Sequence, residues 1–261
     1  YTNRTIEPEH VHPFAGKERW SSLVQSHELY DCGHLYEAAA AHYEATGKRT
    51  LLDVALKNAR LICNTFGPAG RHDVPGHEII EMGLVRLYRI TGERAFLETA
   101  RFFIEQRGNH QSRKLYEFDG IPEYSQDHMP VLQQTEAAGH AVRAVYLYCG
   151  MADIAALTGD VRYVKTLDAI WNNCSGRKTY LTGGIGSRRQ GESFGADYEL
   201  PNAAAYNETC AAIGSVLWNH RMFLMSGNGR YYDIVEQTLY NGLLSGIALS
   251  GERFFYTNSV S

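Results

Sequence analysis

Several features are scarce in this sequence of 261 residues. It has only five cysteines, odd in number and widely spaced, which argues against a disulfide framework and favours a reducing, cytoplasmic location. No signal peptide is visible, and no apolar run approaches the roughly 18–20 residues of a membrane span, so no membrane partner is expected. The formal net charge is −4 and basic residues form no stripe, so nucleic acid is not an expected partner either. With 44% apolar residues, the composition predicts a globular protein with a sizeable core.

A short motif recurs four times and predicts the ends of helices. Each copy has a hydroxyl residue, a glycine and a polar residue, in the order Thr46-Gly47-Lys48, Thr91-Gly92-Glu93, Thr158-Gly159-Asp160 and Ser226-Gly227-Asn228. Glycine is common just after a helix because it adopts the left-handed conformation, and a polar residue suits the start of the next helix. Apolar residues at helical spacing flank the motif. We therefore predict four helical hairpins and an all-α fold, with unrelated helix ends as the alternative.

Titratable residues recur at similar distances before the glycines of these motifs. Glu28, His140 and Glu208 stand nineteen positions before the glycine of their motif, and His77 stands fifteen before its own. These positions are the N-terminal ends of the first helices of the hairpins. In a toroid those helices line the inside, so the four groups are expected to converge on one mouth. Taken singly, each is better explained as a helix cap or a core histidine; their joint placement favours a site.

A glycine-rich loop follows the third hairpin, from Gly183 to Gly195. It lacks the Gly-Lys-Ser/Thr ending and the preceding strand of a nucleotide-binding loop. We interpret it as a tightly turned loop that presents Glu192. Shielded from water beside Phe194, this carboxyl group is expected to have a raised pKa and to protonate a leaving oxygen near neutral pH. The alternative is a solvated loop glutamate.

Glu208 and Cys210 are of residue types that bind metal ions and would supply two ligands, half of those in a closed site. Residues two apart on a regular helix point about 200° apart, so both face one ion only at a frayed helix start. Both residue types ligate zinc, but a closed site needs about four ligands. A buried, inert Cys210 is the more common outcome.

Seven motifs resemble those of glycoside hydrolase family 127, whose founding activity is β-L-arabinofuranosidase. They come in the family's order over nearly the whole chain: SHELY at 26–30, GHLYEAA at 33–39, PGHE at 75–78, GHAVR at 139–143, LTGGIG at 181–186, GESFG at 191–195 and YNETC at 206–210. The resemblance implies an (α/α)6 barrel followed by β-sandwich domains. It also implies a retaining glycosidase whose nucleophile is a cysteine thiolate held on zinc.

The resemblance assigns a role to individual residues. Glu192 matches the general acid/base, and Glu208 and Cys210 match two zinc ligands. The residues that match sugar-binding positions are His77, His140, Tyr256 and, with nearby His34 as the alternative, His27. A small carbohydrate is thus the expected partner, with a homodimer as a further arrangement to test.

One departure from the family pattern limits these expectations. The family's nucleophile and remaining zinc ligand are an adjacent cysteine pair downstream of the position of Tyr256, and no Cys-Cys occurs in this sequence. Four hairpins are visible where the toroid needs six. We therefore expect residues 1–261 to be a partial catalytic domain, with the remaining helices and the β-sandwich domains outside the chain. On this view the chain alone neither holds zinc tightly nor cleaves substrate.

Two other functions stay open on the sequence. Another (α/α)6 sugar-active enzyme, such as an unsaturated uronyl hydrolase or a sugar epimerase, would need no zinc and would use Asp or His as acid/base. A non-catalytic scaffold of stacked hairpins would have a polar concave face without a deep acidic pocket.

Overall fold

Eight α-helices make up about half of residues 13–16 and 18–260, the part of the chain that the computed structural model describes. The chain divides into two compact units, Tyr1–Tyr116 and Glu117–Ser261. The helices of the first unit are α1 (Glu28–Thr46), α2 (Thr50–Thr65), α3 (Ile80–Thr91) and α4 (Arg94–Gln106). Those of the second unit are α5 (Ala141–Thr158), α6 (Val161–Arg177), α7 (Thr209–Ser226) and α8 (Gly229–Gln237), which a π-helical turn continues over Thr238–Leu243.

The four glycine motifs end helices as predicted. Gly47, Gly92, Gly159 and Gly227 cap α1, α3, α5 and α7 in the left-handed conformation, with φ of 67°, 75°, 69° and 68°. Each capping N–H donates to a carbonyl one turn back in its helix, which satisfies an acceptor that the helix end would otherwise leave open. Each motif therefore joins two consecutive helices into a hairpin, so the prediction of four hairpins is confirmed.

Within each unit, the first helices of the two hairpins pack directly together. α1 contacts α3, and α5 contacts α7. Glycines permit the close approach: a β-carbon at Gly33 would lie 2.7 Å from the backbone nitrogen of Ile80, and one at Gly214 would overlap the side chain of Val145. This packing brings the N-terminal ends of α1 and α3 together, and likewise those of α5 and α7.

The helix α5 is buried on nearly all sides. By length and composition it could cross a membrane, although Arg143 and Asp153 interrupt its apolar residues. However, 83% of that stretch is buried inside the protein. The central helix of a folded domain passes the same test, because it too has no polar face.

Two long connections precede α5 and α7. In the described part of the chain they contain no regular strand, only short turns such as Gln190–Glu192 and isolated bridges. Buried side-chain amides hold the first connection: Gln126 Nε2 donates to the carbonyl of Ala138 at 2.9 Å, and Gln134 Nε2 donates to the carbonyl of Gln126 at 2.9 Å. The connections are thus ordered by side-chain bonds, and they lead straight into the helix starts where titratable residues recur.

Candidate functional site

The imidazole of His140 joins the start of α5 to the glycine-rich loop. His140 is the N-cap of α5, and its Nδ1 accepts the backbone N–H of Val142 at 3.2 Å. A neutral imidazole with an accepting Nδ1 carries its proton on Nε2. This Nε2 lies 2.8 Å from Oε2 of Glu192, so it donates to that carboxylate. One buried histidine therefore caps a helix and holds the predicted acid/base at the same time.

Glu192 lies in a tight turn of the loop. Arg188 and Ser193 exchange both backbone hydrogen bonds across the turn, at 3.0 and 3.1 Å. Both Gly191 and Glu192 have positive φ, of 62° and 50°. The left-handed region is unfavourable for a glutamate, and such strain is concentrated at functional sites. The turn therefore fixes the direction of the Glu192 side chain at some cost in conformational energy.

A second donor completes the hold on Glu192. The hydroxyl of Tyr206 donates to Oε1 of Glu192 at 2.8 Å, so each carboxylate oxygen has one donor. Arg143 adds a positive charge nearby, with its guanidinium 4.6 Å from the ring centroid of Tyr124. Tyr124 in turn packs edge-on against His140, at 5.4 Å between ring centroids. Donors and positive charge thus surround a carboxylate that is only partly exposed.

The pKa of Glu192 is lowered, and the expectation of a raised pKa was wrong. The hydrogen bond from His140 lowers the pKa most, and the Tyr206 hydroxyl lowers it further. Burial does raise it, as expected beside the buried Phe194, but the donors outweigh burial because they favour the charged form. Glu192 is therefore an ionised carboxylate at neutral pH in this state of the protein.

Glu208 is the N-cap of α7 and is nearly inaccessible to solvent. Neither of its side-chain oxygens has a hydrogen-bond partner of good geometry among the described residues, although the Tyr256 hydroxyl and the Cys210 thiol lie beside the carboxylate. Burial raises its pKa to about 7. A buried carboxylate without full partners is costly, which is the state expected of a ligand that a cation would satisfy.

The predicted metal ligands meet at the start of α7. Glu208 and Cys210 interact despite being two residues apart, because Glu208 stands outside the regular helix as its cap. Burial raises the pKa of the Cys210 thiol, so without a cation it stays protonated. Ligand atoms of His140, Glu192 and Glu208 also lie within 4.8 Å of one another. Oxygen, nitrogen and sulfur donors of this kind fit a divalent ion such as zinc, with Glu208 common to both groupings.

The segment around Tyr256 is tied to the same helix start. The backbone N–H of Thr209 donates to the carbonyl of Tyr256 at 3.0 Å, and Glu208 forms a bridge with Thr257. This pairing places the Tyr256 ring next to Glu208, and burial raises the pKa of its hydroxyl. The predicted sugar-binding tyrosine thus lies beside the predicted metal ligands.

In the first unit, His27 and His77 come together at the starts of α1 and α3. Their ring centroids are 5.5 Å apart, and the ring of Tyr30 packs edge-on against His77 at 4.4 Å. His34, the alternative to His27, lies one turn beyond Tyr30 on α1 and packs against the Tyr30 ring. The structure therefore pairs His27 with His77.

Glu28 has a structural role. Its Oε2 accepts the backbone N–H of Trp20 at 3.0 Å and the hydroxyl of Ser26 at 3.4 Å, which ties the preceding segment to α1. Its explanation as a helix cap is wrong, because Glu28 is the first residue of α1 and His27 is the N-cap. Convergence of the groups from all four hairpins on one mouth stays a prediction.

Tyr206 is the residue that sequence reasoning missed. It lies within one of the seven motifs but was given no role. The backbone between Tyr206 and Glu208 is not extended, because Asn207 has φ of 41°, so a spacing of two residues does not predict where the Tyr206 side chain points. Its partner Glu192 lies fourteen positions earlier in a loop, and nothing in the sequence fixes that distance.

Comparison with known proteins places the chain in a family. The family model described as "Beta-L-arabinofuranosidase, GH127 catalytic domain" matches residues 1–261. The chain belongs to this family. A curated relative, the non-reducing end β-L-arabinofuranosidase of Bifidobacterium longum subsp. longum, is 38% identical over 95% of the chain. Membership in glycoside hydrolase family 127 confirms the resemblance and disfavours both the scaffold and the other sugar-active enzymes.

Solved structures show the same fold. A glycoside hydrolase family 127 β-arabinofuranosidase matches 99% of the chain with a TM-score of 0.91 and 52% identity. A family 127 β-L-arabinofuranosidase from Geobacillus stearothermophilus T6 matches 92% of the chain, with a TM-score of 0.87 and 42% identity. The predicted fold class, all-α hairpins of the (α/α) toroid type, is therefore confirmed. The chain spans 40% of the length of each of these relatives.

Proposed function

We propose that the full-length protein is a retaining β-L-arabinofuranosidase, in which Glu192 is the general acid/base. The substrate would be an arabinofuranosyl oligosaccharide or glycoconjugate. The observation that carries this proposal is the Glu192 carboxylate held at 2.8 Å by both His140 and Tyr206, in a chain whose whole length matches the family model. A carboxylate with one donor on each oxygen has a fixed orientation, which proton transfer to a substrate oxygen requires.

Glu192 would act twice in one reaction cycle. In the first half, its carboxyl group protonates the departing oxygen while the bond from the anomeric carbon to that oxygen breaks and a cysteine sulfur bonds to the carbon. In the second half, water attacks the same carbon, the Glu192 carboxylate accepts the proton of that water, and the sulfur departs. Two successive displacements retain the anomeric configuration.

The acid role requires that the lowered pKa of Glu192 rise when substrate binds. The strongest cause of the lowered pKa is the hydrogen bond from His140. His140 matches a sugar-binding position, so a sugar hydroxyl would take over its Nε2–H. The bound sugar would also exclude water from around Glu192. The loss of the His140 hydrogen bond and the exclusion of water both favour the protonated carboxyl group. The free protein thus holds the base form, and the bound sugar would produce the acid form.

Glu208 and Cys210 would hold a zinc ion together with ligands outside this chain. When bound, zinc would stabilise sulfur as the thiolate, the form that reacts. The fit rests on the two buried Glu208 oxygens without partners of good geometry and on the adjacent thiol. His27, His77, His140 and Tyr256 are proposed to bind the hydroxyl groups of the sugar.

The test is an assay of the full-length gene product on p-nitrophenyl β-L-arabinofuranoside. We expect turnover by the zinc-loaded wild type and a loss of about 10²–10⁴-fold in Glu192→Gln, the usual contribution of a general acid/base. A matched control is Glu252→Gln, which removes an exposed carboxylate of the same unit and is expected to leave the rate unchanged. An inactive but folded and zinc-loaded wild type would refute the substrate, and an active Glu192→Gln would refute the role of Glu192.

A further inference from the structure

Three charged side chains are completely buried in the first unit, outside the chemistry proposed above. Glu78, Glu81 and Arg107 have no exposed side-chain surface. Burying such charges is expensive, and apolar side chains of similar volume are often as stabilising or more so. The cluster therefore calls for an explanation other than stability.

Arg107 contacts the chain on both sides of His77. It follows the last residue of α4, and its Nη1 lies 3.0 Å from Oε1 of Glu78. Its Nη2 donates to the carbonyl of Pro75 at 2.9 Å and lies 3.6 Å from Oε1 of Glu81. The contact with Pro75 is a hydrogen bond, whereas those with Glu78 and Glu81 are ion pairs without hydrogen-bond geometry. A rigid planar guanidinium can keep these three groups in a fixed relation. One side chain thus fixes the positions of residues 75 and 78, between which His77 lies.

The segment held by Arg107 is strained. Ile79 has φ of 141° and ψ of −28°, a conformation that a β-branched residue rarely adopts. Its N–H donates to Oε2 of Glu81 at 3.1 Å, so the carboxylate that pairs with Arg107 also holds the strained residue. At Gly76 a β-carbon would overlap the carbonyl oxygen of Leu23. Strain of this kind persists only where the surrounding contacts enforce it.

The conformation of this segment sets the imidazole of His77. Its Nδ1 lies 3.0 Å from the carbonyl oxygen of Glu78, so Nδ1 carries the proton and donates. In the neutral ring, Nε2 is then the acceptor nitrogen. The ring plane is further set by Tyr30, which packs edge-on at 4.4 Å. Moving Glu78 would move the acceptor of the Nδ1–H bond and therefore turn the ring.

We infer that Arg107 is a positioning residue for His77. The buried cluster of Glu78, Glu81 and Arg107 holds the strained turn at Ile79, and this turn presents the Nε2 acceptor of His77 to a donor hydroxyl of the sugar. The sugar contact of His77 rests on the proposed function. The hold of Arg107 on the segment does not rest on it.

A double-mutant cycle in the full-length protein separates positioning from folding. Arg107→Lys keeps the charge but loses the planar array of donors. We expect it to lower kcat/KM on p-nitrophenyl β-L-arabinofuranoside about tenfold when His77 is present, and less than about twofold in the His77→Ala background, because coupled residues are not additive. Arg221→Lys is the matched control: it alters the Arg221–Asp153 pair, 2.9 Å apart in the second unit, and its effect should be the same in both backgrounds.

Amide hydrogen exchange on the same proteins provides a readout without catalysis. Arg107→Lys should increase exchange at residues 75–81 at least about tenfold while α5 and α7 stay protected. Where Arg107→Lys does not fold, Glu81→Gln replaces it, since it keeps the shape and removes the charge that faces Arg107. Equal losses of kcat/KM in both backgrounds, or unchanged exchange at 75–81, would overturn the inference. A wild type without glycosidase activity but with the exchange result would instead refute the proposed function alone.

Discussion

Replacing Tyr206 by phenylalanine removes a single hydrogen bond and little else. The change deletes the hydroxyl that donates to Oε1 of Glu192 at 2.8 Å and leaves the ring in place. A hydrogen bond to a charged group contributes about 1.5–3 kcal/mol. The Glu192 side chain is 32% exposed, so water replaces part of the lost bond and the lower end of this range applies. Negative charge returns to Glu192 as its proton passes to the leaving oxygen, so the bond stabilises the transition state. About 1.4 kcal/mol corresponds to a tenfold loss of kcat/KM, which we expect at a pH below the pKa of Glu192, where the free protein already holds the protonated carboxyl group.

The pH dependence of Tyr206→Phe has a defined sign. kcat/KM reports the first half of the reaction, in which Glu192 must be protonated, so activity falls as pH rises through the pKa of Glu192. The Tyr206 hydroxyl lowers that pKa. Its removal raises the pKa of Glu192, and the alkaline limb of kcat/KM should move to higher pH.

The assay should use an alkyl β-L-arabinofuranoside, whose leaving oxygen needs a proton more than p-nitrophenolate does. Tyr180→Phe is the control, because it removes a hydroxyl that donates to the carbonyl of Pro201 at 3.0 Å and leaves Glu192 untouched. An alkaline limb that moves to lower pH in Tyr206→Phe, or a kcat/KM that is undiminished on the acid side of that limb, would refute the reasoning.

Two further predictions concern stability. In the metal-free chain, the pKa of Glu208 is raised from 4.5 to about 7, so its contribution to the free energy of unfolding is present below pH 4.5 and is lost as the pH rises toward 7. Glu208→Gln should therefore be more stable than wild type at pH 8, by at most about 3 kcal/mol, and as stable as wild type at pH 4. Urea unfolding at both pH values measures this, and a variant less stable at pH 8 would contradict it. Gly33→Ala should cost about 1–3 kcal/mol because its β-carbon would lie 2.7 Å from the Ile80 nitrogen. Gly176→Ala is its control, because a β-carbon at Gly176 has no atom within 4 Å. Equal urea midpoints for the two variants would refute the close packing of α1 on α3.

The hairpins were predictable because their ends depend on local chemistry. A glycine after the last residue of a helix, such as Gly92, acts through its own backbone conformation and needs no distant partner. The same holds for the start of α7, where Glu208 and Cys210 are close in sequence. Family motifs suggested the role proposed for Glu192, which its loop position alone left ambiguous.

The electrostatics of the site were not predictable, because they depend on pairs far apart in the chain. His140 and Glu192 are 52 positions apart, and their hydrogen bond reverses the direction of the pKa shift expected from burial. Arg107 is 32 positions from Pro75, whose carbonyl it holds. Such contacts depend on how helices and loops pack, so the local patterns of a single sequence do not predict them.

Chemical rescue of Glu192→Ala tests the role of Glu192 most directly. With p-nitrophenyl β-L-arabinofuranoside, departure of the good leaving group needs little acid, but water then lacks its base, and the second half of the reaction becomes slow. Sodium azide needs no base and fits the space left by the carboxyl group. The account predicts that azide restores turnover of the full-length variant and yields β-L-arabinofuranosyl azide. Absence of rescue, or an α-configured azide, would contradict a retaining mechanism with Glu192 as its acid/base.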